Sequence, residues 1–249
     1  MPIALITGGS RGLGRAAALA LADSGHDIVI TYRTGQSQAA EVVDRVVATG
    51  RRAVALQLDA ADGASVGAFA TALPDALASL GGDRLGVLVQ NAGVAGRTPL
   101  GAIDEDAVQQ LFDVHVKGVV LLTQALEPLI ADGGRIITLS SGLARFTAPG
   151  MSVYGAMKAA VESLTRSWAA ELGHRGITVN AIAPGPTATD FAGGMIRDDE
   201  AYRRGIVAMT ALGRVGEPTD IGGAIALLAD PRSGWVTGQR IEVSGGARL

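Results

Sequence analysis

Apolar residues along this chain fall into two alternating patterns. Short continuous runs read as strands buried on both faces, because a strand with one wet face would alternate apolar and polar positions. These runs are Ile3–Ile6, Ile28–Thr31, Ala53–Gln57, Gly86–Val89, Arg135–Leu139, Thr178–Ile182 and Gln239–Val243. Between them lie segments of helical period near 12–24, 36–49, 63–80, 105–131, 152–173 and 217–229. In the fifth, Met157, Val161, Leu164, Trp168 and Leu172 recur at three- and four-residue steps, which marks one buried face. Strand and helix in regular succession predict an α/β protein: a doubly wound sheet of seven parallel strands with helices on both faces. No linker, repeat or low-complexity tract divides residues 1–249, so one domain is expected. The mixed, glycine-bearing stretch at about 185–216 exceeds ordinary loop length and reads as a lid.

Composition narrows the function classes. Hydrophobic residues make up 48% and charged residues 18%, a balance that excludes disorder. The net charge of −3 offers no basic field for nucleic acid or a membrane surface. Cysteine is absent, which removes disulfide scaffolds, thiol catalysis and cysteine-ligated metals. His26, His115 and His174 are far apart, so no metal site is expected. Met1 to Ile6 lacks the basic start of a signal peptide, and no apolar run reaches the ~18 residues of a membrane span. A cytoplasmic location is the expectation.

The first strand runs into Thr7-Gly8-Gly9-Ser10-Arg11-Gly12-Leu13-Gly14 and then an alanine-rich helix. Ligands of open α/β sheets bind beyond the carboxyl ends of the strands, and a helix N-terminus there offers N–H groups to a pyrophosphate. A glycine-rich turn alone is weak evidence; its place between a strand and a helix strengthens it. At the end of the second strand, where an acid would accept from the ribose 2′-hydroxyl of NAD, the chain has Thr31-Tyr32-Arg33. Asp27 is at the wrong end. Arg33, joined by Arg11, suits a 2′-phosphate, favouring NADP(H); the alternative is that both arginines are solvated surface charges.

Tyr154-Gly-Ala-Met-Lys158 places a phenol and an ammonium on one helix face. A nearby cation stabilises a phenolate, but the spacing alone is a common accident. Here Ser141 closes the fifth strand and Asn91-Ala92-Gly93 closes the fourth, at the same sheet edge as the glycine turn. With these motifs in order along nearly its whole length, the chain resembles the short-chain dehydrogenase/reductase family, and its overall pattern resembles the 3-oxoacyl-carrier-protein reductases. The resemblance implies a Rossmann-type fold, hydride transfer between a nicotinamide and a ketone or secondary alcohol, and a homotetramer or homodimer. It implies Tyr154 as general acid or base, Ser141 as hydrogen-bond donor to the substrate oxygen, and Lys158 as the group that lowers the tyrosine pKa and binds the nicotinamide ribose. Gly8, Gly12 and Gly14 would shape the pyrophosphate turn with Ser10 and Leu13. Asp59 would contact adenine, and Asn91 with Ala92 and Gly93 would border the cofactor. Pro184, Gly185, Thr187 and Thr189 would line the nicotinamide, with Thr189 and the Ile182 backbone as carboxamide partners.

Two positions depart from the family pattern. His115 stands where an asparagine usually holds a relay water, and Ser244 stands where an acid is frequent. A neutral histidine can sustain a relay, whereas a protonated one would repel Lys158, so activity is expected to fall as pH drops through its pKa. The alternative is a packed helix histidine with no catalytic duty. Leu143, Phe146, Met151, Phe191, Met195, Ile196, Met209 and Leu212 suggest an apolar pocket, with Gly193-Gly194 as a hinge, or else ordinary packing. Gly118, Ala125, Ala156, Ala159 and Ala160 suit either subunit contacts or packing on the chain's own sheet. Three functions remain open: an NADPH-dependent carbonyl reductase, an NAD-dependent alcohol dehydrogenase, and a non-catalytic NADP sensor.

Overall fold

A computed structural model describes residues 2–249. Its strands are β1 (Ile3–Ile6), β2 (Asp27–Tyr32), β3 (Ala53–Gln57), β4 (Leu85–Gln90), β5 (Ile130–Leu139), β6 (Thr178–Pro184) and β7 (Arg240–Val243). They form one parallel sheet in the order β3-β2-β1-β4-β5-β6-β7. The order reverses between β1 and β4, and a crevice opens at such a switch point beyond the strand ends. All seven sequence runs are strands. The one large difference is β5, which starts earlier because Ile130 pairs with Leu85 before a register shift ahead of the Val87–Arg135 pair.

The helices are α1 (Gly12–Asp23), α2 (Gln36–Ala48), α3 (Gly63–Ser79), α4 (Glu105–Phe112), α5 (Gly118–Leu126), α6 (Ser152–Leu172), α7 (Met195–Asp198), α8 (Glu200–Ala208) and α9 (Pro218–Ala229). They cover both faces of the sheet. Alternate residues of each strand serve opposite faces: Ala4 and Ile6 pack with α1, α2 and α9, while Ile3 and Leu5 pack with α3, α5 and α6. Each fully buried Leu or Ile side chain contributes roughly 1.5–3 kcal/mol to this core.

Two sequence readings are corrected here. The single helix expected over 105–131 is broken. A π-helical turn, Asp113–Lys117, separates α4 from α5, and a 3-10 turn, Glu127–Leu129, leads into β5. On α6 the fully buried stripe is Tyr154, Lys158, Val161, Thr165, Ala169 and Leu172, with Met157, Leu164 and Trp168 only half-buried beside it. Polar residues hold core positions because the sheet satisfies them: Thr165 Oγ1 lies 2.8 Å from Thr138 Oγ1, and Lys158 Nζ donates to the Leu139 carbonyl at 2.7 Å. Gly118 packs within its own chain. A Cβ there would sit 2.0 Å from the Ala60 carbonyl oxygen, so glycine lets α5 pass the turn after β3. Ala156 and Ala159 are exposed.

Candidate active site

A cleft of about 670 Å³ runs across the carboxyl ends of β1, β4, β5 and β6. One end is built largely from backbone. Gly8 and Gly12 have φ of 63° and 55°, a region that glycine enters without strain. Gly14 meets a different demand: a Cβ there would lie 2.2 Å from the Gly8 carbonyl oxygen and 2.5 Å from Asn91 Nδ2. Asn91 braces the turn by donating through Nδ2 to the carbonyls of Thr7 (2.8 Å) and Gly8 (3.1 Å), while its own N–H donates to Thr7 Oγ1 at 2.9 Å. Asp62 and Asp104 cap α3 and α4 with their side chains, but no side chain caps α1 and its first turn holds no acid. Its leading N–H groups therefore face the cleft free to take an anion. The cradle fits a dinucleotide pyrophosphate. Ser10, Arg11, Gly12 and Leu13 line it, Tyr32 and Arg33 line its outer end, and Asp59, Ala92 and Gly93 border it. Asp27 lies at the opposite end of β2, ion-paired with Arg51 and Arg52.

The middle of the cleft gathers Ser141, Tyr154, Lys158 and His115. Ser141 leaves β5 with an extended backbone, and its hydroxyl accepts from the Leu143 N–H at 3.1 Å. Behind it, Ser140 Oγ donates to Glu162 at 2.5 Å, Arg240 Nε donates to the same carboxylate at 2.7 Å, and Arg240 Nη2 reaches the Ser141 carbonyl at 3.4 Å. Sequence reading missed this brace; the signal was a carboxylate on the sheet-facing side of a helix, one turn beyond Lys158. The Tyr154 phenol is pushed up to about 12 by burial, partly offset by its hydrogen bond with Ser141. Lys158 Nζ lies 5.8 Å from the Tyr154 ring centroid, and burial holds its ammonium down to about 8.

His115 sits in the π-helical turn and is 1% exposed. Its ring stands edge-on to Tyr154, with centroids 5.3 Å apart. Nε2 lies 2.8 Å from the Val94 carbonyl, which fixes the chain after Gly93 and identifies Nε2 as the protonated nitrogen. Nδ1 is buried with no hydrogen-bond partner among the described residues. Burial, reinforced by the Lys158 charge, lowers the imidazole to about 3. The ring is neutral at ordinary pH, and the acid limb expected from it moves to about that value.

At the far end, Leu143, Phe146 and Met151 meet Phe191, Met195, Ile196 and Met209. Leu212 does not join them; it is 68% exposed and outside the cleft, because the chain turns back at Gly213. Tyr202 and Ile206 were missed, although with Met209 they follow the spacing of one helical face. The segment from Pro186 to Gly216 leaves and returns at one point, where Ala188 N–H donates to the Gly216 carbonyl at 2.9 Å and Gly216 N–H to the Pro186 carbonyl at 3.0 Å. Ala192, Gly193 and Gly194 all have positive φ, so the expected hinge is a sharp left-handed turn. Pro184, Gly185, Thr187 and Thr189 line the cleft. Ile182 does not reach it; its carbonyl accepts from Ser140 N–H at 2.7 Å within the sheet.

Known proteins match this arrangement across the whole chain. The family described as Enoyl-(Acyl carrier protein) reductase matches residues 8–248. The hydroxynaphthalene reductase-like protein Arp2 of Metarhizium brunneum is 38% identical, over 98% of this chain and 94% of its own length. A 3-oxoacyl-[acyl-carrier-protein] reductase of Synechocystis is 36% identical, over 98% of this chain and 96% of its own. Among solved structures, the angucycline C-6 ketoreductase LanV with bound NADP superposes with a TM-score of 0.94 at 34% identity, covering 100% of this chain and 96% of that one. The chain belongs to the short-chain dehydrogenase/reductase family of oxidoreductases.

Proposed function

We propose that the protein is an NADPH-dependent reductase of bulky apolar ketones. The observation that carries this reading is the meeting of Ser141, Tyr154 and Lys158 in one cleft with a glycine cradle beside which β2 runs out into Arg33, where an NAD-binding strand would end in an acid. Arg11 and Arg33 would hold the 2′-phosphate, the α1 N-terminus the pyrophosphate, and Lys158 the nicotinamide ribose. When bound, the nicotinamide supplies the hydride.

The remaining chemistry belongs to the chain. Ser141 donates a hydrogen bond to the substrate carbonyl oxygen, and Tyr154 gives that oxygen its proton as negative charge develops. A phenol held near 12 is fully protonated at neutral pH, the form reduction needs. The Tyr154 phenolate left by that transfer is stabilised by the Lys158 ammonium beside the ring and takes its proton back from solvent water, for which the unpartnered Nδ1 of neutral His115 would be an acceptor in a relay.

The flat and flexible lining of Phe146, Met151, Phe191, Met195, Ile206 and Met209 suits an aromatic or fused-ring ketone. The names of Arp2 and LanV support that choice, and the Synechocystis relative supports a 3-oxoacyl thioester as the second reading. In this reading residues 185–216 act as a lid, and the protein works as a cytoplasmic homotetramer or homodimer. The test is NADPH consumption, followed at the nicotinamide absorbance, over aryl ketones and acyl thioesters. Turnover of a naphthyl ketone with NADPH well above NADH is expected. Turnover of none of the panel, or a preference for NADH, overturns the proposal.

A further inference from the structure

The substrate end of the cleft holds a charge with no countercharge. Arg248 lines it beside Phe146, Ala148 and Met209. Its guanidinium carbon lies 5.1 Å from the Phe146 ring centroid, Nη1 donates to the Thr147 carbonyl at 3.1 Å, and Nε lies 3.3 Å from the Met209 sulfur. Arg145 approaches the same ring at 5.6 Å, but it is paired with Glu242. Arg248 has no carboxylate partner among the described residues, and its Nη2 has no hydrogen bond there. Asp190, a carboxylate of the same lining, is already paired with Arg197.

The backbone reinforces the point. Arg248 and Ala192 are the non-glycine residues with positive φ among the described residues, each at 54°, and both line the cleft. The Arg248 conformation is imposed from both sides: its N–H donates to the Met209 carbonyl at 2.9 Å, and its carbonyl accepts from Arg145 Nη1 at 3.3 Å. Left-handed backbone in a residue with a Cβ persists where its surroundings over-determine it, and it gathers at ligand sites. The residue as a whole is exposed, and its guanidinium rests on the Thr147 carbonyl, the Met209 sulfur and the Phe146 ring, with one edge open to the cleft.

We propose that Arg248 anchors a carboxylate on the substrate. The planar fork of the guanidinium matches a planar carboxylate, and stacking on Phe146 sets its orientation. Phe146 also reaches the residue after Ser141: a Cβ on Gly142 would be 2.6 Å from Phe146 Cε1. The anion site and the carbonyl site thus lie in one cleft, with Phe146 in contact with the segments that carry both. Resting on the reductase reading, this narrows the substrate to an apolar ketone with a carboxylate at its far end. Arg248 takes no part in proton or hydride transfer; it selects.

The test uses 6-acetyl-2-naphthoic acid and its methyl ester, by NADPH oxidation and by calorimetric binding to the NADP-loaded protein. At low salt the acid should exceed the ester in kcat/KM by roughly tenfold, and the preference should erode at high salt. Arg248→Gln should bring the acid-to-ester ratio near one, and Arg248→Lys should restore part of it, with melting curves checking the fold. A salt-independent ratio, or equal losses on acid and ester, overturns the anchor. Binding of the acid that needs Arg248 but leads to no reduction upholds the anchor and overturns the reductase reading. Equal reduction of both compounds in natural and variant proteins does the reverse.

Discussion

The two ends of the cleft are built on different physical terms. The cofactor end is made from backbone groups of a contiguous turn, locked by Asn91 and by a glycine whose Cβ position is already filled. The substrate end is made from side chains of three separate segments, and its residues stand partly in water: Phe191 is 43% exposed, Met195 46% and Tyr202 47%. Tyr154 and Lys158, at the seam, are 7% and 5% exposed. A fixed frame thus presents the reacting groups to a wall that side-chain changes can reshape. Binding residues borne on exposed segments are free to vary without cost to the core.

The sharpest way to test that division is at the seam. Tyr154→Phe removes the proton donor and leaves both ends in place. Turnover should fall by roughly 10²–10⁴-fold, the usual range for a lost general acid. The NADPH dissociation constant, read by fluorescence titration, should change by less than about threefold. A collapse of cofactor binding would show that phenol and cradle are one unit. The next largest effect is expected at Gly14→Ala, whose new methyl has nowhere to go. Overpacking of this kind costs about 3 kcal/mol, measurable by urea unfolding, and NADPH affinity should fall with it. An alanine variant of natural stability would mean that the turn is softer than its contacts imply.

Arg33 tests the rim of the same end. Arg33→Ala should reduce the NADPH-to-NADH ratio of kcat/KM by roughly 10–100-fold, the worth of a charge-assisted hydrogen bond to phosphate. Loss of activity with both cofactors alike would place Arg33 elsewhere in the mechanism.

The same contrast explains what was legible in the sequence. The seven strands and the glycine turn were readable because continuous apolar runs and positive-φ glycines report local requirements. Ser141, Tyr154 and Lys158 were readable through the resemblance to a family, because with the glycine turn and Asn91 they fall in that family's order at one sheet edge; the tyrosine–lysine spacing alone would not have sufficed. The break at Asp113–Lys117 was not, since the one glycine beside it, Gly118, reads equally well as a packing position within an unbroken helix. The α6 face was misjudged because hydrophobicity cannot show that Thr165 and Lys158 find partners in the sheet. Arg248 escaped notice because its value lies in what it lacks, and an unpaired charge is visible only once all the carboxylates have positions.

His115 supplies the finest test, because it sits between the two ends and titrates in a window of its own. Its folded pKa of about 3 lies below the ordinary 6.5. Between these values the unfolded chain binds the proton and the folded chain does not, so stability falls as pH drops through that interval. At pH 5 the cost is about 2 kcal/mol relative to neutral pH. Lys158 acts on the other side: with a folded pKa near 8 against 10.5, its burial cost persists below pH 8 and is relieved as pH rises toward 10.5. His115→Asn should therefore flatten the acid side of the stability curve and leave the alkaline side alone. Melting temperatures from pH 7 to pH 5 should drop by about 4–8 °C less in the variant. Its pH–rate profile should show no change in the acid limb over the same range, because a ring already neutral at pH 5 has no charge to lose. Parallel melting curves would mean that the imidazole is protonated in the folded protein, with Nδ1 donating, and that its contact with Lys158 is held apart by water.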